Sequence, residues 1–172
     1  MEAEQGNHKA QMVLGLLHFP EYPDESFYWL QRSVNSLNVD VPDSNTTKLC
    51  NDILSEWKVS ILDIKLYLGM FYALGIGTQM NRIQAAQLFK EIAHNGHPEG
   101  QYKYDLALFN GNGVPVDRKE AMRWIRLAAK GGHQHAIDHL AKWEELYEFH
   151  QLRCEMVKAR FELENIAKNN PD

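Results

Sequence analysis

Cysteine is scarce in this chain of 172 residues: Cys50 and Cys154 are the two there are, with no CxxC pair and no partner at metal-ligand spacing. That excludes a disulfide framework and a cysteine-based zinc site, and leaves two structural thiols in a reducing compartment. Long apolar runs are missing as well. The longest near the start runs from Met12 to Leu17 and on through His18 to Phe19, far short of the ~20 residues of a membrane span. It has neither the charged lead nor the small-residue cleavage site of a secretory signal, so the chain reads as cytoplasmic, with no membrane span. Positive charge is not in excess either. The formal net charge is -5, with basic residues scattered among acidic ones, so nothing offers a footprint for a phosphate backbone and nucleic acid is excluded as a partner.

Signatures of catalysis are absent too: there is no GxSxG, no phosphate loop and no glycine-rich nucleotide fingerprint. What remains is 44% hydrophobic and 24% charged, ordinary for a folded domain with a core of its own.

That remainder repeats itself. Residues 75–96, GIGTQMNRIQAAQLFKEIAHNG, return 36 positions later as residues 111–132, GNGVPVDRKEAMRWIRLAAKGG. The shift pairs Gly75 with Gly111, Gly77 with Gly113, Asn81 with Asp117, Gln84 with Glu120, Ala85 with Ala121, Leu88 with Trp124, Ala93 with Ala129 and Gly96 with Gly132. Periods of this length mark stacked supersecondary units that bury their apolar faces against their neighbours. Asn81 and Asp117 are N-caps, with Gln84 and Glu120 placed to reach back to the cap's own N–H. After Asp117 the residues Ala121, Trp124, Ile125, Ala128 and Ala129 recur at helical spacing, and Gly131-Gly132 ends the helix. A first helix precedes each of these, over Ile64 to Leu74 and Gly100 to Phe109, joined to the second by the GxG turn.

A degenerate copy opens the chain. Gly6, Ala10, Leu14 and Gly15 align with Ser60, Ile64, Leu68 and Gly69, and Trp29 aligns with Leu88 and Trp124. Phe19-Pro20-Glu21-Tyr22-Pro23 replaces the GxG turn, and an insertion of 23 residues follows, predicting an extra helix from about Thr47 to Trp57. One solenoid domain is expected, made of a first repeat over 1–37, the insertion over 38–59, repeats over 60–96 and 97–132, and a terminal or capping helix over 133–172.

Leu68-Gly69…Tyr72, the two GxG turns, Ala121-x-x-Trp124 and Ala128-Ala129…Gly132 together resemble the Sel-one-like repeat, a relative of the tetratricopeptide repeat. The resemblance covers about two thirds of the chain, and departs from the pattern where Asp105 stands in place of the usual glycine. It implies an all-α fold, an α/α superhelical solenoid of helix-turn-helix repeats with a long C-terminal helix. It also implies a non-catalytic adaptor or scaffold that binds another protein, with no cofactor and no catalytic residue.

Eight histidines invite a metal or acid–base reading. His97 and His133 follow helix-ending glycines at equivalent places, as Asn7 follows Gly6, and polar cap chemistry accounts for all three. His135 and His139 share a helical face but lack the intervening Glu and the third ligand of a zinc hydrolase, so no metal is assigned and a hydrolase is a remote alternative.

In tetratricopeptide-like stacking the first helix of each pair lines the concave face. This geometry places Ala10, Val13, Leu14, Leu17, Ile64, Leu68, Tyr104 and Leu108 in the core. It puts Met12, Leu16 and Phe19, then Leu66, Met70 and Ala73, then Tyr102, Leu106 and Phe109 along a groove too apolar for solvent alone. That stripe is the candidate site for a partner's amphipathic helix or extended peptide, unless the insertion or the C-terminal helix fills it. From about Gln134 to Lys168 there is no Gly or Pro, and Phe149, Leu152, Met156, Ala159, Leu163 and Ile166 form a heptad seam. It reads either as a cap on the last repeat or as a homodimer or docking seam. An immunity or inhibitor protein that covers a basic toxin or enzyme is the alternative within binding functions.

Overall fold

The computed structural model describes residues 3–4, 6–37 and 45–169. Among them the chain is all-α: α1 (His8–His18), α2 (Pro23–Asn35), α3 (Asn45–Glu56), α4 (Ile61–Leu74), α5 (Arg82–His94), α6 (Pro98–Asn110), α7 (Arg118–Lys130) and α8 (Gln134–Asn169). Helices pair as α1 with α2, α4 with α5 and α6 with α7, and the pairs stack through α2 on α4 and α5 on α6, while α8 follows on α7. This is the helical solenoid that the 36-residue period implied. The extra helix of the insertion is α3, which packs on α1; the loop residues 38–44 lie outside the described part.

Caps account for the helix starts. Asn81 Oδ1 accepts the N–H of Gln84 at 3.1 Å, and Asp117 Oδ1 accepts that of Glu120 at 2.9 Å. The expected reach of Gln84 and Glu120 back to the cap N–H is replaced by a longer-range bond. The N–H of Asn81 donates to the Tyr72 carbonyl at 2.7 Å, and that of Asp117 to the Leu108 carbonyl at 3.0 Å, tying each second helix to its first. The reciprocal capping box occurs instead at α4. Ser60 caps it and Asp63 returns the bond, one place ahead of the repeat phase because Ile61 carries no acceptor.

The GxG glycines have steric as well as conformational reasons. Gly77 and Gly113 sit at φ +63° and +79°, and a Cβ on either would stand 2.1 and 2.0 Å from the carbonyl oxygens of Pro23 and Arg82. Each therefore lets its turn press on the first residue of the preceding second helix. The helical glycines Gly15 and Gly69 likewise admit Leu30 and Phe89, whose side chains would lie within 2.5 Å of an added Cβ.

Asp105 stands 36 residues after Gly69, and Ile125, which lines the same small cavity, stands 36 after Phe89. A carboxyl is thus seated where the earlier units have no side chain. It is 3% exposed and its Oδ2 has no hydrogen-bond partner. Burial pushes its pKa up to about 7.

Three apolar clusters follow the stack. One joins Met12, Val13 and Leu30 to Cys50 and Leu54 of α3 and to Ile64, Leu68 and Phe71 of α4. The second gathers Leu66, Phe89, Ile92, Tyr104, Leu108 and Trp124, and the third holds Ile125, Ala128 and Ala136 at the α7–α8 junction. Of the expected core, Ala10, Val13, Ile64, Leu68, Tyr104 and Leu108 are buried and Leu14 is partly so. Leu17 is a correction: it is 63% exposed, in the last turn of α1, which ends at His18.

Candidate interaction surface

The histidines resolve first. His97 Nδ1 accepts the Gly100 N–H at 3.3 Å while its Nε2 meets Asp63 Oδ1 of the preceding unit at 3.1 Å. One period on, His133 Nδ1 accepts the Ala136 N–H at 3.1 Å and its Nε2 meets Glu99. A ring that accepts through Nδ1 carries its hydrogen on Nε2, so each imidazole caps one helix and donates to a carboxylate of the previous one. For both acids burial alone would raise the pKa. At Asp63 the bonds from Ser60 and His97 outweigh it, and at Glu99 those from His133 and Lys103 do, so both end below the ordinary carboxylate range. His139 Nε2 accepts from Trp143 Nε1 at 3.1 Å, and among the described residues no group of three or more His, Cys, Asp or Glu is placed to hold a metal ion.

The apolar stripe divides into three parts. Met12 is buried and Leu16 half-buried in the cluster that α3 completes, so the insertion covers this end; Phe19 stays partly exposed against Phe71, ring centroids 5.4 Å apart. At the other end Tyr102 stacks on His133 at 4.6 Å, and Phe109 meets Trp143 of α8 edge-on at 5.1 Å under the guanidinium of Arg118. The first turns of α8 therefore cover these two.

Between the ends the surface is open. A depression of about 350 Å³ lies between α4 and α6, with α5 as its floor. Met70, Ala73 and Leu106 line it, but Leu66 does not: it is buried beneath, in the core cluster with Phe89 and Tyr104. Sequence reasoning missed the floor, Ala85, Ala86 and Phe89, because it looked for groove residues on the first helix of each pair alone. The adjacent pair of alanines was the available signal, since small side chains there leave the space unfilled. Arg82 and Lys103 also line the depression, and no acidic residue does. Lys103 has Glu99 at 3.1 Å, one turn away on its own helix.

The described part of α8 leaves its seam uncovered. Phe149, Leu152 and Met156 are 60–72% exposed, so α8 does not fill the depression with them. Leu163 and Ile166 belong to α8 by backbone, but their side chains lie outside the described part.

No helix of the described residues is long and apolar enough to cross a membrane. The Sel1 repeat family model matches residues 8–36, 66–97 and 98–133, which is more than half of the chain. Among solved structures the chain resembles a Sel1 repeat protein from Oxalobacter formigenes, with 22% identity and a TM-score of 0.56, over 78% of this chain and 46% of that one. It also matches c5321, a protective antigen present in uropathogenic Escherichia coli strains displaying an SLR fold, with 23% identity and a TM-score of 0.46, over 81% of this chain and 34% of that one. The chain thus spans less than half the length of either. No curated protein matches it. Sel1 repeats are typically non-catalytic modules of protein–protein interaction, and the three matched units coincide with the three helix pairs, α1–α2, α4–α5 and α6–α7: the chain belongs to the Sel1 repeat family.

Proposed function

We propose that this protein is a non-catalytic adaptor that holds an apolar segment of a partner protein in the depression between α4, α5 and α6. The observation that carries the reading is the depression itself: about 350 Å³, walled by Met70, Ala73, Leu106 and Phe89, and left open by both segments that cover the stripe elsewhere. Concave sites lined by apolar side chains with a few polar groups at the edge are where partner side chains lodge. Arg82 and Lys103 favour a segment that carries carboxylates beside its apolar anchor.

The test is a pull-down from cell lysate with the wild type and with a Met70→Asp/Leu106→Asp variant, both half-buried positions whose side chains border the depression rather than fill the core. Circular dichroism first establishes that the variant keeps its helicity. A stoichiometric protein retained by the wild type and lost from the folded variant supports the reading. Retention by both assigns that partner to another surface.

A further inference from the structure

The first turns of α8 are anchored on the repeat body. Ala136 is buried, Leu140 packs against the α7 cluster, and Trp143 meets Phe109. Further along, every residue from Leu152 to Glu162 is exposed, on all sides of the helix. The same stretch carries Leu152, Met156 and Ala159 along one face, exposed where a packed helix would bury them. That part of the seam is open to a partner.

The charges that flank the seam say what the partner is. With Phe149, Met156 and Leu163 at position a and Leu152, Ala159 and Ile166 at d, Arg153 and Arg160 fall at e and Glu148, Glu155 and Glu162 at g. In a parallel pair each g position faces the e position of the following heptad across the seam. Glu155 then meets Arg160 of the second copy, on both sides of the pair. In an antiparallel pair e faces e and g faces g, which sets arginine on arginine and glutamate on glutamate. The helix is complementary to itself in one orientation only.

We propose that α8 beyond Trp143 forms a parallel two-stranded coiled coil with a second copy of this chain. The inference is independent of the depression between α4 and α6, though the two combine. Parallel strands put both repeat bodies at the same end, so two depressions are presented together and a partner with two docking segments gains avidity. Val157 and Phe161 fall at b and f, off the seam, and stay exposed in the pair.

Sedimentation equilibrium of the full chain, with two exchanged charges, tests both association and orientation. The wild type is expected to pass from monomer to dimer with concentration. Arg160→Glu and Glu155→Arg each place like charges across the seam twice, and each is expected to weaken the dimer by about tenfold. An equimolar mixture of the two variants re-forms both attractive pairs and is expected to associate as the wild type does. Leu152→Cys in a Cys154→Ser background is expected to cross-link the dimer under mild oxidation, since d positions face each other in a parallel pair. A wild type that stays monomeric at its highest soluble concentration overturns the proposal, as does a trimer or larger assembly. Tighter association of Arg160→Glu, or failure of the cross-link, overturns the parallel orientation. Because both charged positions are exposed, thermal unfolding of the variants is expected to match the wild type under conditions where all are monomeric.

Discussion

Replacing Asp105 with asparagine is expected to flatten the dependence of stability on pH. The carboxyl titrates at about 7 in the folded chain, against 3.8 for an ordinary aspartate, because burial disfavours its charged form. The folded state therefore holds its proton to higher pH than the unfolded state does. Stability is highest below about pH 3.8 as far as this group is concerned, falls as pH rises, and has lost the whole contribution once pH passes 7. A shift of about three units corresponds to a ceiling of ~4 kcal/mol, reduced by whatever rearrangement or water entry the ionised side chain provokes. Against a total stability of ~5–15 kcal/mol that is a large share. The groups facing Asp105 in its small cavity include Arg118 and His139, but the Arg118 guanidinium lies over the Phe109 ring at 5.5 Å. Urea unfolding followed by circular dichroism at pH 4.5 and pH 8, for the wild type and Asp105→Asn, measures the difference directly. The wild type should lose more stability than the variant over that interval, by up to about 3 kcal/mol, since about 1 kcal/mol is already lost at pH 4.5. Parallel pH profiles for the two proteins would refute the assignment of a buried, unpartnered carboxyl.

Gly113→Ala should cost about 3 kcal/mol or more, because its Cβ would lie 2.0 Å from the Arg82 carbonyl at a φ of +79°, whereas Gly96→Ala, at φ +81° with nothing within 4 Å, should cost only about 1–2 kcal/mol; thermal or urea unfolding separates them. His97→Ala removes both the cap of α6 and the bond to Asp63, and should lower stability by about 1–2 kcal/mol at neutral pH. Since the carboxyls of Asp63 and Glu99 are held low, the stability they contribute is present above their unfolded values and is lost as pH falls through the folded ones; this acid-side loss should shrink in His97→Ala. Arg82→Glu, at an exposed position, should leave the melting temperature nearly unchanged while weakening any acidic partner segment found by the pull-down, as read by fluorescence anisotropy of the labelled segment.

The distance between Gly75 and Gly111 already contained the architecture. A repeated unit with caps at Asn81 and Asp117, turn glycines and helical spacing has few ways to bury its apolar residues other than stacking, so the helix pairs and the capping role of His97 and His133 were legible from residue types alone. These are local matters: a cap needs an acceptor at one position, and a left-handed turn needs glycine at one position. What decided which apolar residues remain open lay elsewhere in the chain. Met12 disappears under α3, Tyr102 and Phe109 under the first turns of α8, and Leu66 into the core, while Met70, Ala73 and Leu106 stay at the edge of a space that Ala85 and Ala86 leave unfilled. The buried state of Asp105 is of the same kind. Its anomaly showed in the repeat alignment, but only packing against α7 and α8 deprives it of water. Periodicity determined the elements and their order, because each depends on neighbours a few residues away; exposure depends on neighbours an unknown number of residues away, and only the assembled chain supplies them.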